Sequence, residues 1–167
     1  MLQPLVRRTW APRGHTPVQR QWHRHDRLSA ISAVSVSPRR RRLGLYWSMQ
    51  RCNVHGDNVA AFLQRVRRQV RRKIVLIWDR WSVHKAGVVG RYLERHRRSV
   101  VVEWLPAYAP ELNPAEQVWN HAKYTDLANL APDDLEELES HVEESFGGQR
   151  ARAHLLRAFF RKAQLAL

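Results

Sequence analysis

The stretch Ile74–Asp79, IVLIWD, is a run of five apolar residues that ends in a carboxylate. A run this short and this apolar predicts a buried central strand, because strands covered on both faces lack polar alternation. Asp79 then stands at the carboxyl end of the strand, where ligands collect in open α/β sheets. Strand ends commonly lead into turns in which an aspartate shapes the turn or caps a helix, so this interpretation stays open beside the functional one.

A helix and a second strand follow this segment. Residues 100–105, VVVEWL, predict the strand, and the helix spans about 85–96. A strand, a helix and a strand within about 30 residues predict a βαβ unit with a right-handed crossover and parallel strands. The inner face of the helix carries Val88, Val89, Tyr92 and Leu93.

A hairpin and a helix precede the apolar run. Residues 27–36 and 43–49 alternate apolar and small or polar side chains, which predicts two strands joined by a polar connection. Asp57 is placed to cap a helix that begins near Asn58. The apolar stripe of that helix consists of Val59, Phe62, Leu63, Val66 and Val70, and its opposite face carries Arg65, Arg68, Arg71 and Arg72. Residues 1–25 predict loop or strand, with a turn at Arg13–Gly14.

Downstream, a proline-rich loop leads into a helix that starts at Asn113–Pro114. Glu116 stands three residues after Asn113, which predicts a capping box in which the Glu116 side chain returns to the backbone N–H of Asn113. The functional interpretation is that Glu116 faces Asp79 across the sheet edge, where two carboxylates suit Mg²⁺. Two further helices are predicted over 132–146 and 150–165, separated by Gly147–Gly148.

Charge is distributed unevenly along the 167 residues. The formal net charge is +14, with +19 in residues 1–100 and −5 in residues 101–167. A basic part of this size points to a polyanionic partner, most simply nucleic acid. An arginine-rich genome alone would give a similar excess, so the charge by itself leaves the partner open. The single cysteine, Cys52, excludes an internal disulfide framework, and no apolar run is long enough to span a membrane.

Two segments together resemble the insertion-sequence 630/Tc1/mariner transposase superfamily. They are IVLIWDRWSVHKA from Ile74 and EWLPAYAPELNPAEQVW from Glu103. The family's hallmarks are an apolar strand ending in Asp, a His a few residues on, and a later run rich in Pro, Leu and Asn. RRTWAPRGHTPV, residues 7–18, is similar to the stretch after the family's first catalytic strand. The hallmark residues of the later run are Leu105, Pro106, Tyr108, Pro110, Leu112, Asn113, Pro114, Glu116 and Trp119.

The resemblance implies a ribonuclease-H-like α/β fold, a mixed sheet flanked by helices, with a triad of acids. Asp79 matches the second acid and Glu116 the third. The first acid normally lies in a strand shortly before the Arg-Thr-Trp segment, and residues 1–6 contain no acid. We therefore expect the first strand to be missing or incomplete. Asp26 and Asp57 stand elsewhere, and we expect neither to replace the first acid.

The family's chemistry is DNA strand cleavage and transfer, which uses Mg²⁺ or Mn²⁺. The resemblance implies that Asp79 and Glu116 bind the metal here, and that this binding is weakened without the first acid. The expected partner is DNA, both transposon ends and target, and a homodimer is left open. The expected location is the bacterial cytoplasm, at the nucleoid. His84 is either a contact to phosphate or water or a packed, capping histidine. The candidate DNA-binding residues are Arg65, Arg68, Arg71, Arg72, His84 and Lys85.

Three interpretations remain. The chain is a truncated catalytic domain that is inactive alone, a DNA-binding remnant without catalysis, or a fragment completed by another reading frame or chain. In each, we expect residues 1–130 to form the ribonuclease-H-like domain and residues 131–167 a helical extension packed on it.

Overall fold

The computed structural model describes residues 7–8, 10–15, 18 and 28–165. The sequence predicts loop or strand over residues 1–25, and most of these residues lie outside the described ranges. Asp26 lies outside them as well. The predicted turn at Arg13–Gly14 is present, since the His15 N–H donates to the Pro12 carbonyl and Gly14 has φ 87°. Such a left-handed backbone favours glycine.

Two strands come first, helices and strands then alternate, and three helices come last among the described residues. In chain order they are β1 (Ser29–Val36), β2 (Leu43–Gln50), α1 (Gly56–Val70), β3 (Ile74–Trp78), α2 (Gly87–Arg95), β4 (Val100–Trp104), α3 (Pro114–His121), α4 (Leu135–Ala151) and α5 (Ala153–Lys162). Short 3₁₀ turns cover Ser82–Lys85 and Pro110–Leu112, and a π-helical turn covers Ala122–Asp126. No helix in these ranges is both long and apolar enough to cross a bilayer.

The predicted hairpin is confirmed. β1 pairs antiparallel with β2, in a register that places Val34 opposite Leu45. Alternation sets this register, because a slip by one residue would carry Leu45, which is fully buried, to the other face. At the turn the Ser37 N–H donates to the Arg42 carbonyl at 2.8 Å.

Helix α1 begins two residues earlier than predicted. His55 is the N-cap, and its backbone N–H donates to the Asn58 side chain at 2.8 Å. Asp57 is therefore a first-turn residue, where its charge still complements the helix dipole, and the prediction of Asp57 as the cap is wrong. The predicted apolar stripe is confirmed, with Val59, Phe62 and Leu63 buried.

Strands β3 and β4 pair in parallel, which confirms the predicted βαβ unit. The bounds of β3 agree with the prediction, but its burial does not. Ile74, Leu76 and Trp78 turn inward, whereas Val75 and Ile77 are 60% and 58% exposed. The reason is that only one face of this strand pair meets helices α1 and α2. The predicted helix at 85–96 splits into the 3₁₀ turn at Ser82–Lys85 and α2.

The Gly147–Gly148 pair does not separate the last two helices. Both glycines lie inside α4, and the break between α4 and α5 falls at Arg152. Burial explains the difference, because Phe146 and Gln149 on either side of the pair are fully buried. Tertiary packing of these neighbours outweighs a glycine cost of about 1 kcal/mol per residue in a helix.

Two clusters of apolar residues form the core. One joins β3 to α1 and α2 through Trp78, Val59 and Val89. The other joins the hairpin to α3, α4 and α5, and at its centre Phe146 lies edge-on to Trp47 (5.7 Å) and Trp119 (5.0 Å). Helices α4 and α5 thus share one core with the strands that precede them.

The four strands do not form one continuous sheet. Among the described residues, β1 pairs only with β2 and β3 pairs only with β4. Ile31 of β1 nevertheless packs against the same cluster as Leu76 of β3, so both strand pairs lie on the α1 side of the molecule. The mixed strand directions and flanking helices agree with the predicted fold class.

Replacing Gly147 with alanine should stabilise the protein by about 0.5–1 kcal/mol, because alanine loses less entropy in a helix. A Cβ at this position meets no atom within 4 Å. Urea unfolding would measure the change. The matched variant Gly148→Ala should gain less, since its Cβ would lie 3.3 Å from the Arg152 guanidinium. A loss of stability in Gly147→Ala would contradict its place inside α4.

Candidate active site

Asp79 leaves β3 and enters a tight turn. Its Oδ1 accepts the backbone N–H of Trp81 at 3.0 Å, the bond that makes an Asx turn. The same oxygen lies 3.0 Å from Nδ1 of His84. Both contacts use Oδ1, and the side chain is 45% exposed. The turn role and the ligand role are therefore compatible, because Oδ2 makes no hydrogen bond to a described residue.

His84 is held by stacking on the last residue of β3. Its ring lies parallel to that of Trp78, with centroids 4.3 Å apart and planes 9° apart. The Asp79 carbonyl is also within 3.3 Å of Nδ1, and the His84 side chain is only 12% exposed. With its proton on Nδ1, the imidazole donates to Asp79 and restricts the carboxylate to one orientation.

Glu116 lies in the first turn of α3. Asn113 is the N-cap, as predicted, and its side chain accepts the Ala115 N–H at 3.1 Å. The predicted return bond from Glu116 is not made, because the Asn113 N–H donates to the Pro110 carbonyl at 3.0 Å. The prediction of Asn113 as the N-cap is confirmed, but the predicted bond from Glu116 to the Asn113 N–H is wrong. The Glu116 carboxylate therefore takes no part in the helix cap.

The two carboxylates interact electrostatically. Burial, and secondly the negative charge of Asp79, raise the pKa of Glu116 above its ordinary value of 4.5. Desolvation disfavours the charged form, and a nearby like charge disfavours it further. A cation beside these carboxylates would favour the charged form of Glu116 and so oppose both effects.

The donor set suits a hard divalent ion. Mg²⁺ is commonly bound by one or two carboxylates, with water and substrate phosphates completing six oxygens. Asp79 and Glu116 supply such a pair. Within the ranges that the structure describes, no group of three or more His, Cys, Asp or Glu side chains could hold a metal. An ion here would depend on other oxygen ligands for most of its shell.

The candidate DNA-binding residues fall into two groups. His84 and Lys85 lie in the turn after Asp79, whereas Arg71 and Arg72 precede β3. A strand of 5 residues spans about 16 Å, so these arginines lie at the opposite edge of the β3–β4 pair. Arg65 lines a cleft of about 350 Å³ between β2, α1 and α4. Arg65, Arg68, Arg71 and Arg72 are all exposed, and the length of β3 separates Arg71 and Arg72 from Asp79.

The structure places further basic and aromatic residues, which were not selected from the sequence, at the two ends of the β3–β4 pair. Arg95, Arg97 and Arg98 are exposed before β4, at the same edge as Arg71 and Arg72. The predicted parallel pairing of the two strands could have indicated this cluster. Parallel strands start at the same end of the pair, so the basic residues that precede each strand come together there.

Asp79 and Glu116 mark one end of the β3–β4 pair, here called the carboxylate edge. Trp81 and Trp104 are partly exposed there. The Trp81 ring lies edge-on to His84 at 5.5 Å, and the Arg80 Nε donates to the Leu105 carbonyl at 3.3 Å. For Arg80 and Trp81 the only signal was their position directly after Asp79 in the chain, and for Trp104 it was the end of the predicted strand at 100–105.

The family comparison covers most of the chain. Residues 1–139 match the family model described as DDE superfamily endonuclease. A search of curated protein sequences finds no match.

Solved structures of the Mos1 mariner transposase share the fold. The paired-end complex with the left transposon end superposes with a TM-score of 0.62 at 16% identity, over 98% of this chain and 48% of that one. The catalytic domain gives 0.55 at 17% identity, over 82% and 74%. The catalytic domain with Raltegravir and Mg gives 0.54 at 16%, over 82% and 76%. The chain thus spans about half the length of the longer matched structure.

The raised pKa of Glu116 should make the protein less stable as pH rises. Above pH about 4.5 the unfolded state releases this proton first, so the folded state binds more protons and stability falls until Glu116 ionises in both states. Glu116→Gln removes that loss. Its stability relative to the parent chain should therefore increase from pH about 4 to about 7, measured by urea unfolding without divalent ions.

Glu111→Gln is the matched control, because it removes the same charge from an exposed residue of the preceding turn. An equal pH trend in both variants would contradict a specific effect of the Glu116 environment.

Proposed function

This chain belongs to the DDE superfamily endonucleases, and on that premise we propose that its carboxylate edge serves DNA cleavage and strand transfer in transposition. The observation that carries the proposal is that the negative charge of Asp79 adds to burial in raising the pKa of Glu116. The charge of Asp79 acts on a half-buried Glu116 that the helix cap does not use. Like charges held together without a structural purpose are typical of cation sites.

The chain's own residues would prepare one end of this site. Trp81 and His84 hold Asp79 by Oδ1, which leaves Oδ2 for a cation. Glu116 comes from a helix first turn, whose positive dipole end favours anions such as a phosphate. Lys85, exposed beside His84, would contact a DNA phosphate and fix the register of the strand.

Divalent ions in such a site activate the attacking oxygen and stabilise the leaving oxygen of an in-line displacement. Two structures of the Mos1 catalytic domain contain Mn or Mg, which supports the same ions here. Asp79 and Glu116 would hold them. The proposal includes a third carboxylate supplied from outside these 167 residues, and without it we propose that the chain is inactive alone.

DNA is the proposed partner. Support comes from the Mos1 complex with a transposon end and from the positive charge of residues 1–100. The exposed arginines before β3 and β4 lie away from the carboxylates, so the phosphates they bind are not the ones to be cleaved. That separation favours a second candidate function, a DNA-binding remnant. In it the exposed arginines before β3 and β4, here called the basic edge, bind DNA without Asp79 and Glu116.

We expect the 167-residue chain not to nick transposon-end DNA with Mg²⁺ or Mn²⁺, because two carboxylates do not bridge two ions about 3.5–4 Å apart. Adding an N-terminal strand that bears an aspartate should create nicking. Asp79→Ala and Glu116→Ala should each abolish it, and Glu111→Gln should leave it unchanged. Gel assays of end cleavage would measure this.

Nicking by the unextended chain that disappears in Asp79→Ala would contradict the missing-ligand argument. Mn²⁺ binding measured by titration provides a second readout. Asp79→Ala should weaken it even where no nicking occurs.

DNA binding should be independent of sequence and strongly dependent on salt. Releasing counterions from several phosphates lowers affinity by orders of magnitude between about 50 and 200 mM salt. Replacing Arg71 and Arg72 with glutamine should flatten the log–log salt slope by about 0.9 per lost contact, measured by fluorescence anisotropy.

Arg39 and Arg41, exposed at the hairpin turn, give a control with the same loss of charge. An equal effect of both double variants would assign the binding to net charge alone and contradict a basic edge.

A further inference from the structure

The cleft of about 350 Å³ that Arg65 lines follows the edge of β2 that faces away from β1. Its lining includes side chains from both faces of β2, such as Tyr46 on one face and Trp47 on the other. Helices on both faces line it as well, α1 on one side and α4 on the other. A cleft bounded from both faces of a strand lies at an edge of that strand, and β1 occupies the opposite edge.

Unpaired backbone groups of β2 point into this cleft. The Ser37 N–H donates to the Arg42 carbonyl at 2.8 Å, and in an antiparallel ladder such bonded pairs alternate with pairs that are not bonded. Alternate residues of β2, counted from Arg42, therefore bond to β1, and the residues between them point their N–H and C=O groups away from it. These outward groups have no partner strand among the described residues. Along the cleft they belong to Leu45, Trp47 and Met49.

This edge has none of the features that keep a sheet edge from pairing. Natural edges are protected by charged side chains, by proline or by β-bulges. The β2 segment Leu43–Gln50, LGLYWSMQ, contains no charged residue and no proline, and its register with β1 runs without a bulge. Such an edge is a template for another strand, so strand addition is the binding mode that the cleft favours.

The α4 wall of the cleft carries two carboxylates. Glu139 and Glu143 both line it. Glu143 Oε2 accepts the Trp47 Nε1–H at 2.7 Å, and Glu139 Oε2 accepts from the Arg51 guanidinium at 2.9 Å. Oε1 of each carboxylate makes no hydrogen bond to a described residue. Each acid therefore keeps an acceptor for a cationic group in the cleft.

The α1 wall has the opposite charge. Arg65 lines the cleft there, is exposed, and makes no ion pair with a described residue. The other arginine of the lining, Arg150, belongs to α4 and lies over the Trp47 ring, 6.0 Å from its centroid. A cation–π contact thus engages its charge. An extended segment in the cleft would have a cation on one side and two carboxylates on the other.

We propose that this cleft, here called the β2 cleft and bounded by residues 45–49, Arg65, Glu139 and Glu143, binds an extended segment of another protein whose side chains alternate in charge. The segment adds antiparallel to β2, because antiparallel pairs are slightly more stable than parallel ones. Main-chain bonds supply affinity. Successive side chains of a strand point to opposite faces, so acidic side chains meet Arg65 and basic ones meet the two glutamates.

Other occupants suit the β2 cleft less well. The two carboxylates in its wall repel the phosphates of a nucleic acid, so this surface is separate from the proposed DNA contacts. A second copy of the chain brings another formal net charge of +14, which opposes association. A proline in the segment would remove a main-chain donor, so the residues that bond to β2 exclude it.

The test uses the whole 167-residue chain without metal and a capped synthetic peptide as long as β2, 8 residues. Glutamate and threonine form one face of the peptide strand, and lysine and valine form the other. Amide exchange with water, followed by NMR, is the readout. At a peptide concentration of about ten times its Kd, the amides of Leu45, Trp47 and Met49 should exchange about tenfold more slowly. Those of Tyr46 and Ser48, which bond to β1, should not change.

Two N-methylated peptides test the strand geometry. Directly opposite residues of an antiparallel pair share a face, so the peptide residues that bond to Leu45, Trp47 and Met49 are the lysines and valines. Methylating their backbone nitrogens should abolish the slowing. Methylating those of glutamate and threonine should preserve it, because these nitrogens point away from β2. Equal effects of the two methylated peptides, or the opposite order, would overturn the proposal.

Two changes of charge test the walls. Exchanging glutamate and lysine in the peptide puts lysine against Arg65 and should raise the Kd about five- to tenfold. Arg65→Gln should raise the Kd of the original peptide about two- to fivefold. Arg68→Gln is the matched control, since it removes the same charge from an exposed residue of α1 outside the cleft. Equal effects of the two variants, or no effect of the exchanged peptide, would contradict the proposal.

Slowing at Val75 and Ile77 would place the peptide on β3 instead, and no slowing at any soluble peptide concentration would exclude strand addition. Either result would overturn the proposal. So would outward amides of β2 that are slow without peptide and become fast on dilution, because a second copy of the chain would then be the occupant. None of these readouts depends on Asp79, Glu116 or a metal, so the β2 cleft and the proposed function fail separately.

Discussion

The parallel ladder between β3 and β4 determines where the candidate functional residues of this chain lie. Because both strands run the same way, Asp79 leaves at one edge and the arginines before β3 and β4 collect at the other. The same ladder uses only alternate backbone groups of β3, so those of Val75 and Ile77 turn to the opposite side. A carboxylate edge, a basic edge and an open strand edge are three consequences of one pairing.

At the carboxylate edge, the local structure uses only some of the carboxylate oxygens. The Asx turn and His84 occupy Oδ1 of Asp79, and the Asn113 N–H bonds to Pro110 rather than to Glu116. Each acid therefore retains an oxygen that the fold does not require. The stack of His84 on Trp78 limits the motion of Asp79, and preorganisation of this kind is what a metal site needs from its protein.

The edge is also unfavourable for the folded chain on its own. Burial and Asp79 both raise the pKa of Glu116, which means that ionising this acid is easier in the unfolded state. The outer edges of β1 and β3 have no partner strand among the described residues, and unpaired backbone groups beside apolar side chains are tolerated rather than stabilising. At the acids, the described residues leave carboxylate oxygens that the fold does not use.

Local patterns in the sequence determined most elements and both acids. Alternation located β1 and β2, an apolar run located β3, and Asn113 with Pro114 located the start of α3, because such signals act between residues close in the chain. Tertiary structure decided the rest. Whether Val75 and Ile77 are covered depends on which strand lies beside them, and whether Gly147 ends a helix depends on the packing of Phe146. The free Glu116 carboxylate depends on a competing bond from Asn113 to Pro110, and its raised pKa depends on the nearness of Asp79, 37 positions earlier in the chain. In each case a residue has more than one possible partner, or its partner is distant in the chain. Local sequence does not decide between such partners, because each interaction is locally favourable and only the packed fold selects one of them.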